Sequence, residues 1–172
     1  GTDTAFFVLG NWMYEGTVQA PGHFPSPLPV TKWKSNPGSV YFSADGKKIL
    51  SNPHSTSRQA VLQTRGGNEE TVQTLVSLHT GRADFGADIM AIATHPTKNE
   101  GFVFVRDAKS TRIECFDLET GKGKWEHTVP FALQESPTMP PHHPPIVTPD
   151  GKHLMLKTAD GDLNLINLPL LE

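Results

Sequence analysis

Phe116-Asp117-Leu118-Glu119-Thr120-Gly121-Lys122-Gly123-Lys124-Trp125 is the stretch whose reading decides the fold. An apolar residue precedes an acidic one, a Thr-Gly-Lys corner follows, and an aromatic residue returns three positions beyond Lys122. That order suits two antiparallel strands joined by a tight turn in which Gly121 takes a positive φ. Forty residues upstream the order recurs, with Ser77, Thr80, Gly81, Arg82 and Phe85 in register with Asp117, Thr120, Gly121, Lys122 and Trp125. Turn chemistry that returns every ~40–50 residues is the signature of sheets repeated as blades, each burying its apolar face only against a neighbour.

Outward from this pair, Ser39–Ser43 alternates toward Ala44-Asp45-Gly46-Lys47 and resumes at Lys48-Ile49-Leu50. Asp-Gly between two apolar-rich runs is a hairpin signal. The same grammar closes the chain: Pro145–Thr148, Pro149-Asp150-Gly151-Lys152, His153–Lys157, then a second corner at Asp160-Gly161 before Leu163–Ile166. Between the two lies Met90–Thr94, a turn over His95–Gly101, and Phe102–Val105, where a middle repeat belongs. Ser43 to Thr94 is 51 residues and Thr94 to Thr148 is 54, whereas the Thr-Gly corners stand forty apart. The difference predicts an inserted polar loop at 52–58, around Pro53 and His54. The expected organisation is one domain over 1–172, all-β, a propeller-like array of three to four antiparallel meander blades. Its repeats run over about 39–85, 88–129 and 144–168, after a divergent unit at 1–38.

Composition agrees with short strands. Fifteen prolines and fifteen glycines puncture every long segment, and the four prolines between Pro21 and Pro29 make an extended strap. At 172 residues with 36% apolar and 19% charged residues the chain can bury a core. A net charge of −3 with scattered Lys and Arg gives no long-range pull toward phosphate backbones, so nucleic acid is not an expected partner. No apolar run approaches the ~18 residues of a membrane span. Cys115, the single cysteine, sits between Ile113 and Phe116 and reads as a buried, inert thiol. Nothing in the chain assigns a compartment.

Asp117, Thr120-Gly121-Lys122 and Trp125 resemble the tryptophan-docking turn of quinoprotein-type propellers. Thr148-Pro149-Asp150-Gly151-Lys152 resembles the Ser-Pro-Asp-Gly-Lys turn of WD40-like and lactonase-like propellers. The resemblance is to the β-propeller superfamily and covers about three-quarters of the chain. It implies blades stacked through Thr120, Gly121 and the Trp125 indole, whose burial removes ~150–250 Å² from water. Such propellers usually hold six to eight blades. The chain therefore either closes a small ring or leaves edges that pair with a protein partner, a second propeller fragment or another copy.

Candidate chemistry concentrates on histidines in connections. His54, His95, His142 and His143 are the candidate ligand- or partner-binding positions, on loops expected to converge on one rim with His23-Phe24. No metal site is expected: His142 and His143 are adjacent on an extended segment, so their imidazoles point to opposite sides. Asp160, Asp162 and Asn164 alternate as in a calcium loop, but Gly161 is misplaced and the closing Glu is missing, so a hairpin is expected. Arg65-Gly66-Gly67 and Gly121-Lys122-Gly123-Lys124 lack the helix that a phosphate loop leads into. Asp107 with Lys109 and Arg112, and Glu69-Glu70 with Arg58 or Arg65, are expected as exposed hairpin pairs.

The leading functional expectation is a binding or interaction scaffold. A second is part of a quinoprotein-like or lactonase-like enzyme using histidines and carboxylates of several blades; the sequence names no cofactor for it. A third takes Gly10-Asn11-Trp12 as the opening strand of a lipocalin-like barrel for an apolar ligand, with Trp12 closing one end.

Overall fold

Period-two alternation between glycine and proline breaks yields fourteen strands among the described residues of the computed structural model, which are 4–9, 12–17, 28–32, 37–53, 58–65, 72–134 and 144–168. They are β1 (Thr4–Leu9), β2 (Trp12–Thr17), β3 (Leu28–Lys32), β4 (Pro37–Phe42), β5 (Lys48–Pro53), β6 (Val61–Thr64) and β7 (Val72–Thr74). The second half holds β8 (Ile89–Thr94), β9 (Glu100–Asp107), β10 (Ser110–Asp117), β11 (Gly123–Val129), β12 (Ile146–Val147), β13 (His153–Lys157) and β14 (Leu163–Asn167). Four sheets result, β1-β2-β3, β4-β5-β6-β7, β8-β9-β10-β11 and β12-β13-β14, each in chain order with every neighbouring pair antiparallel. No helix occurs among the described residues, and none is long and apolar enough to cross a membrane. The fold is the expected all-β, propeller-like array. The barrel alternative is overturned, because Trp12 lies in a sheet of its own with β1 and β3 and the strands divide into separate meanders.

The sheets stack through apolar slabs. Between the second and third sheets lie Leu50, Leu62, Leu75 and Phe85 against Ile92, Val103, Phe116 and Leu118, with the Phe85 and Phe116 rings edge to face at 6.0 Å. Between the third and fourth lie Phe102, Phe104, Ile113 and Cys115 against Val147, Leu154 and Leu156. The third sheet is thus apolar on both faces, which is why β9 and β10 read as nearly continuous buried runs. Gly101 leaves the slab no room for a side chain: a Cβ there would meet Leu118 at 2.7 Å and Leu50 at 2.8 Å.

The forty-residue period is not the period of the blades. Both Thr-Gly corners have the same local bonding: Gly81 N donates to Ser77 O (2.9 Å) as Gly121 N does to Asp117 O (2.8 Å), and Ser77 N donates to Arg82 O as Asp117 N does to Lys122 O. Yet the second joins the third and fourth strands of its sheet, whereas the first follows β7, the last strand of the preceding sheet. The blade period is carried by the first hairpin. Ser43 N donates to Lys48 O, His95 N to Glu100 O and Thr148 N to His153 O, so the equivalent residue of the middle repeat is His95, one beyond Thr94. The spacings become 52 (from 43 to 95) and 53 (from 95 to 148), and no insertion is needed to reconcile them. Residues 54–57, part of the expected insertion, lie outside the described residues.

A closed four-bladed ring is not what forms. The face of β12–β14 turned away from the third sheet exposes Ile146, Leu163 and Leu165.

Candidate functional site

Sheet order places the connections on two opposite rims. The turns β4–β5, β8–β9 and β12–β13 share one rim with the Thr120-Gly121 corner; the connections β5–β6 and β7–β8 lie at the other. His95–Glu100 and the region of Arg58 therefore cannot converge on one face, as antiparallel strands put successive connections at alternate ends. His54, His142 and His143, like His23-Phe24, lie outside the described residues.

On the first rim, turns of adjacent sheets are tied together. Ser43 Oγ and Thr148 Oγ1 each donate to the aspartate two residues on, Asp45 and Asp150, at 2.6 Å, and each accepts from the amide five residues on. The Ser43 and Thr148 hydroxyls are the leading reason that the Asp45 carboxyl is held down at about 2 and the Asp150 carboxyl is also lowered. The middle turn has Thr97-Lys98 in place of Asp-Gly, and the His95 ring takes over. Its Nδ1 accepts from Thr97 N (3.1 Å) and Lys98 N (3.0 Å). Nδ1 must then present a lone pair, so Nε2 carries the hydrogen and donates to Gly151 O at 3.0 Å. The histidine expected on an exposed binding loop is only 2% exposed. Its ring is absorbed in joining the third sheet to the fourth, as Asp45 N to Asn99 Oδ1 (3.2 Å) joins the second to the third.

Thr120 Oγ1 and Thr120 N donate to Asp117 Oδ1, and the Thr120 amide is the main reason the Asp117 carboxyl is lowered. Gly121 has φ +71°, and Gln73 of the second sheet lies beside it, its Nε2 donating to Thr120 O at 3.4 Å. Trp125 is half-buried on β11, its ring 5.9 Å from that of Phe102 and packed on the slab shared with the fourth sheet. Lys124 Nζ donates to Glu100, which raises the lysine's pKa. Burial pushes the Cys115 thiol up to about 12. The expected hairpin at Asp160-Gly161 is present, with Gly161 at φ +93° and Thr158 Oγ1 accepting from Asp162 N.

The opposite rim holds a pocket of about 240 Å³ lined by Arg58, Thr80, Arg82, Asp84 and Gly86. Its wall is the connection after β7, bent into shape by its own polar groups. Thr80 Oγ1 donates to Asp84 O (2.7 Å) and accepts from Arg82 N (3.2 Å), and Asp84 Oδ1 accepts from Gly86 N (2.8 Å). Gly86, at φ +80°, leaves only 3.1 Å between a would-be Cβ and the Thr80 methyl. Arg58 reaches Asp88 at 3.5 Å and its carbonyl accepts from Phe85 N. Arg82 is exposed. Guanidinium donors thus share the pocket with the Asp84 carboxylate, a mixture suited to recognising polar groups of either sign.

Behind that wall stands a buried ion pair. Glu114, 0% exposed, accepts from Ser77 Oγ (2.8 Å), Leu78 N (2.7 Å) and Arg112 Nε (3.0 Å), while Arg112 Nη2 donates to Phe85 O (2.6 Å). The exposed Asp107–Lys109–Arg112 grouping is thereby corrected: strand alternation puts Arg112 and Glu114 on the face turned to the second sheet, where they hold both ends of the Ser77–Phe85 connection. The signal in the sequence was Arg-x-Glu between apolar strand residues; the pocket's signal was Thr-Gly-Arg at Thr80–Arg82. Among the described residues no three His, Cys, Asp or Glu side chains gather closely enough to hold a metal ion.

No family model matches the chain, and no curated protein matches it. Solved structures do. A provisionally named 6-phosphogluconolactonase of Bacteroides uniformis is 14% identical with a TM-score of 0.55, over 94% of this chain and 48% of that one. A second, from Bacteroides fragilis, is 14% identical with a TM-score of 0.54, over 93% and 48%. The β-propeller domain of Cps50 (Swd1) from Myceliophteria thermophila is 16% identical with a TM-score of 0.50, over 96% and 53%. The chain spans about half the length of these structures, and the likeness is one of fold.

Proposed function

We propose that the chain is a propeller-type binding scaffold whose working surface is the rim carrying Arg58 and Arg82, and that its partner is a protein segment bearing at least one carboxylate. The carrying observation is the exposed Arg82 beside a pocket wall fixed from behind by Glu114 and Arg112. A fixed wall lowers the ordering cost of binding, and a guanidinium offers a planar fork to a carboxylate. Thr80, the one hydroxyl of the pocket lining, is already engaged as donor and acceptor, which favours recognition by the arginines. The Cps50 likeness supports the propeller fold that this reading requires.

The test is titration of matched acidic, neutral and basic labelled peptides against the whole chain. Acidic peptides bind best, and Arg82→Ala weakens them by about 10- to 100-fold, the range for a hydrogen bond to a charged group. Equal affinity for all three sets, or no change in Arg82→Ala, contradicts the reading.

A second reading is a lactonase-like enzyme, favoured by the two Bacteroides likenesses and by arginines able to hold an anionic sugar acid. Hydrolysis of a phosphorylated aldonolactone by the purified chain, lost in Arg58→Ala with Arg82→Ala, would replace the scaffold with this enzyme. Absorption spectra and metal analysis of the same preparation separate a quinoprotein-like variant from both.

A further inference from the structure

We infer that Asp84 selects, among acidic partner segments, those that carry a cation two residues from the carboxylate held by Arg82. The inference rests on the scaffold reading above and adds a second determinant to it. Of the three charged residues lining the pocket, Arg58 already has a carboxylate beside it, Asp88 at 3.5 Å. Arg82 and Asp84 differ from it. Among the described residues neither of their side chains enters an ion pair, with each other or with a third group, and the Asp84 carboxylate engages only Oδ1, which accepts from Gly86 N at 2.8 Å. The Thr80 hydroxyl pins both residues, accepting from Arg82 N (3.2 Å) and donating to Asp84 O (2.7 Å), while Ser77 N donates to Arg82 O at 2.8 Å. The backbone on either side of Ala83 is thereby held, and behind it Glu114 accepts from Ser77 Oγ and Leu78 N. A guanidinium and a carboxylate thus stand close together on a wall that does not have to be ordered when a partner arrives.

Two adjacent charges of opposite sign ask for a complementary pair. A segment with a lone carboxylate satisfies Arg82 and leaves Asp84 unanswered, and one with a second carboxylate in reach sets like charges against each other. A cation in that place meets both groups. Arg82 and Asp84 are separated by one residue, so their Cα atoms are at most about 7 Å apart. In an extended segment, residues i and i+2 point to the same side at about that distance. The partner that fits is therefore an extended protein segment of the form acid-x-base, such as Glu-x-Lys. Asp84 acts in part by repulsion, lowering affinity for purely acidic segments that Arg82 alone would accept. Both side chains are exposed, so the discrimination is that of a surface ion pair, about two- to fivefold.

Titration of the whole chain with labelled peptides that differ only at three central positions tests it: Glu-Ala-Lys, Lys-Ala-Glu, Glu-Ala-Ala, Glu-Ala-Glu and Ala-Ala-Ala. The better of the two orders of glutamate and lysine binds about two- to fivefold tighter than Glu-Ala-Ala, and Glu-Ala-Glu binds more weakly than that better order. Asp84→Asn retains an oxygen for the Gly86 amide and brings these peptides to nearly equal affinity. Asp84→Lys reverses the ranking, so that Glu-Ala-Glu binds best. Equal affinity of the native chain for Glu-Ala-Lys, Lys-Ala-Glu, Glu-Ala-Ala and Glu-Ala-Glu, all above Ala-Ala-Ala, overturns the role of Asp84 and leaves the carboxylate reading standing. A preference for the lysine-bearing peptide that survives undiminished in both variants also overturns it. If no glutamate peptide outbinds Ala-Ala-Ala, the scaffold reading fails and this inference falls with it.

Discussion

At the scale of single residues, Glu114 and Arg112 decide more than any exposed charge. A buried ion pair contributes little over an apolar pair of like volume, but removing one partner strands the other's charge. Glu114→Ala is therefore expected to cost about 3–5 kcal/mol in denaturant unfolding, and Arg112→Met with Glu114→Leu to cost clearly less. Equal losses would mean that the pair's orientation of Ser77 and Phe85, and not its charge, is what matters. Asp45, Asp117 and Asp150 act differently, through turns at the surface. Their folded-state carboxyls are lowered by hydroxyl and amide donors, Asp45 to about 2. A depressed carboxyl contributes stability that is complete above its unfolded pKa of ~3.9 and lost as pH falls through its folded value. The melting temperature should fall between pH 4 and pH 2, and an Asp45→Asn, Asp150→Asn variant should show a shallower fall; an equal fall would assign acid sensitivity elsewhere. Cys115 offers the simplest check on burial: at pH 8 a thiol held up near 12 stays protonated, so it should react with a disulfide reagent only as the chain unfolds.

At the scale of elements, the turns explain both what the sequence disclosed and what it concealed. Asp45-Gly46 and Asp150-Gly151 were legible as hairpins because only a corner with glycine at positive φ matches those residue types, and both glycines take it. The Thr80-Gly81 and Thr120-Gly121 corners were legible as turns but misleading as a period, because identical local hydrogen bonding serves two different places in a sheet. His95 was legible only as a loop histidine. That it replaces a serine or threonine in capping its own turn depends on Gly151, which stands 56 residues away, and no local pattern carries that. The Thr80-Gly81-Arg82 corner of the pocket was legible as a turn, but nothing local shows that Glu114 of the next sheet holds Ser77 and Leu78 behind it. The two glycine corners should respond unequally to alanine. Gly121→Ala incurs the left-handed penalty of about 1–2 kcal/mol, since the obstructing Gln73 side chain is exposed and can swing away. Gly151→Ala incurs the same penalty and also drives a Cβ into the buried His95 ring, so it should unfold at distinctly lower denaturant. Equal midpoints would deny that the ring is locked between the sheets.

At the scale of the molecule, three consecutive sheets repeat every 52 or 53 residues, with rim hydrogen bonds and an apolar slab joining the second to the third and the third to the fourth. The second and third sheets each rely on the sheet that follows to cover one face, so damage at one slab should spread. Blades stack through their first turns, and the His95–Gly151 contact reports on that stacking directly. In the folded chain, a nuclear Overhauser effect between the His95 Hε1 proton and the Gly151 Hα protons should be strong. Its absence from a well-folded sample, with both residues assigned, would contradict the account.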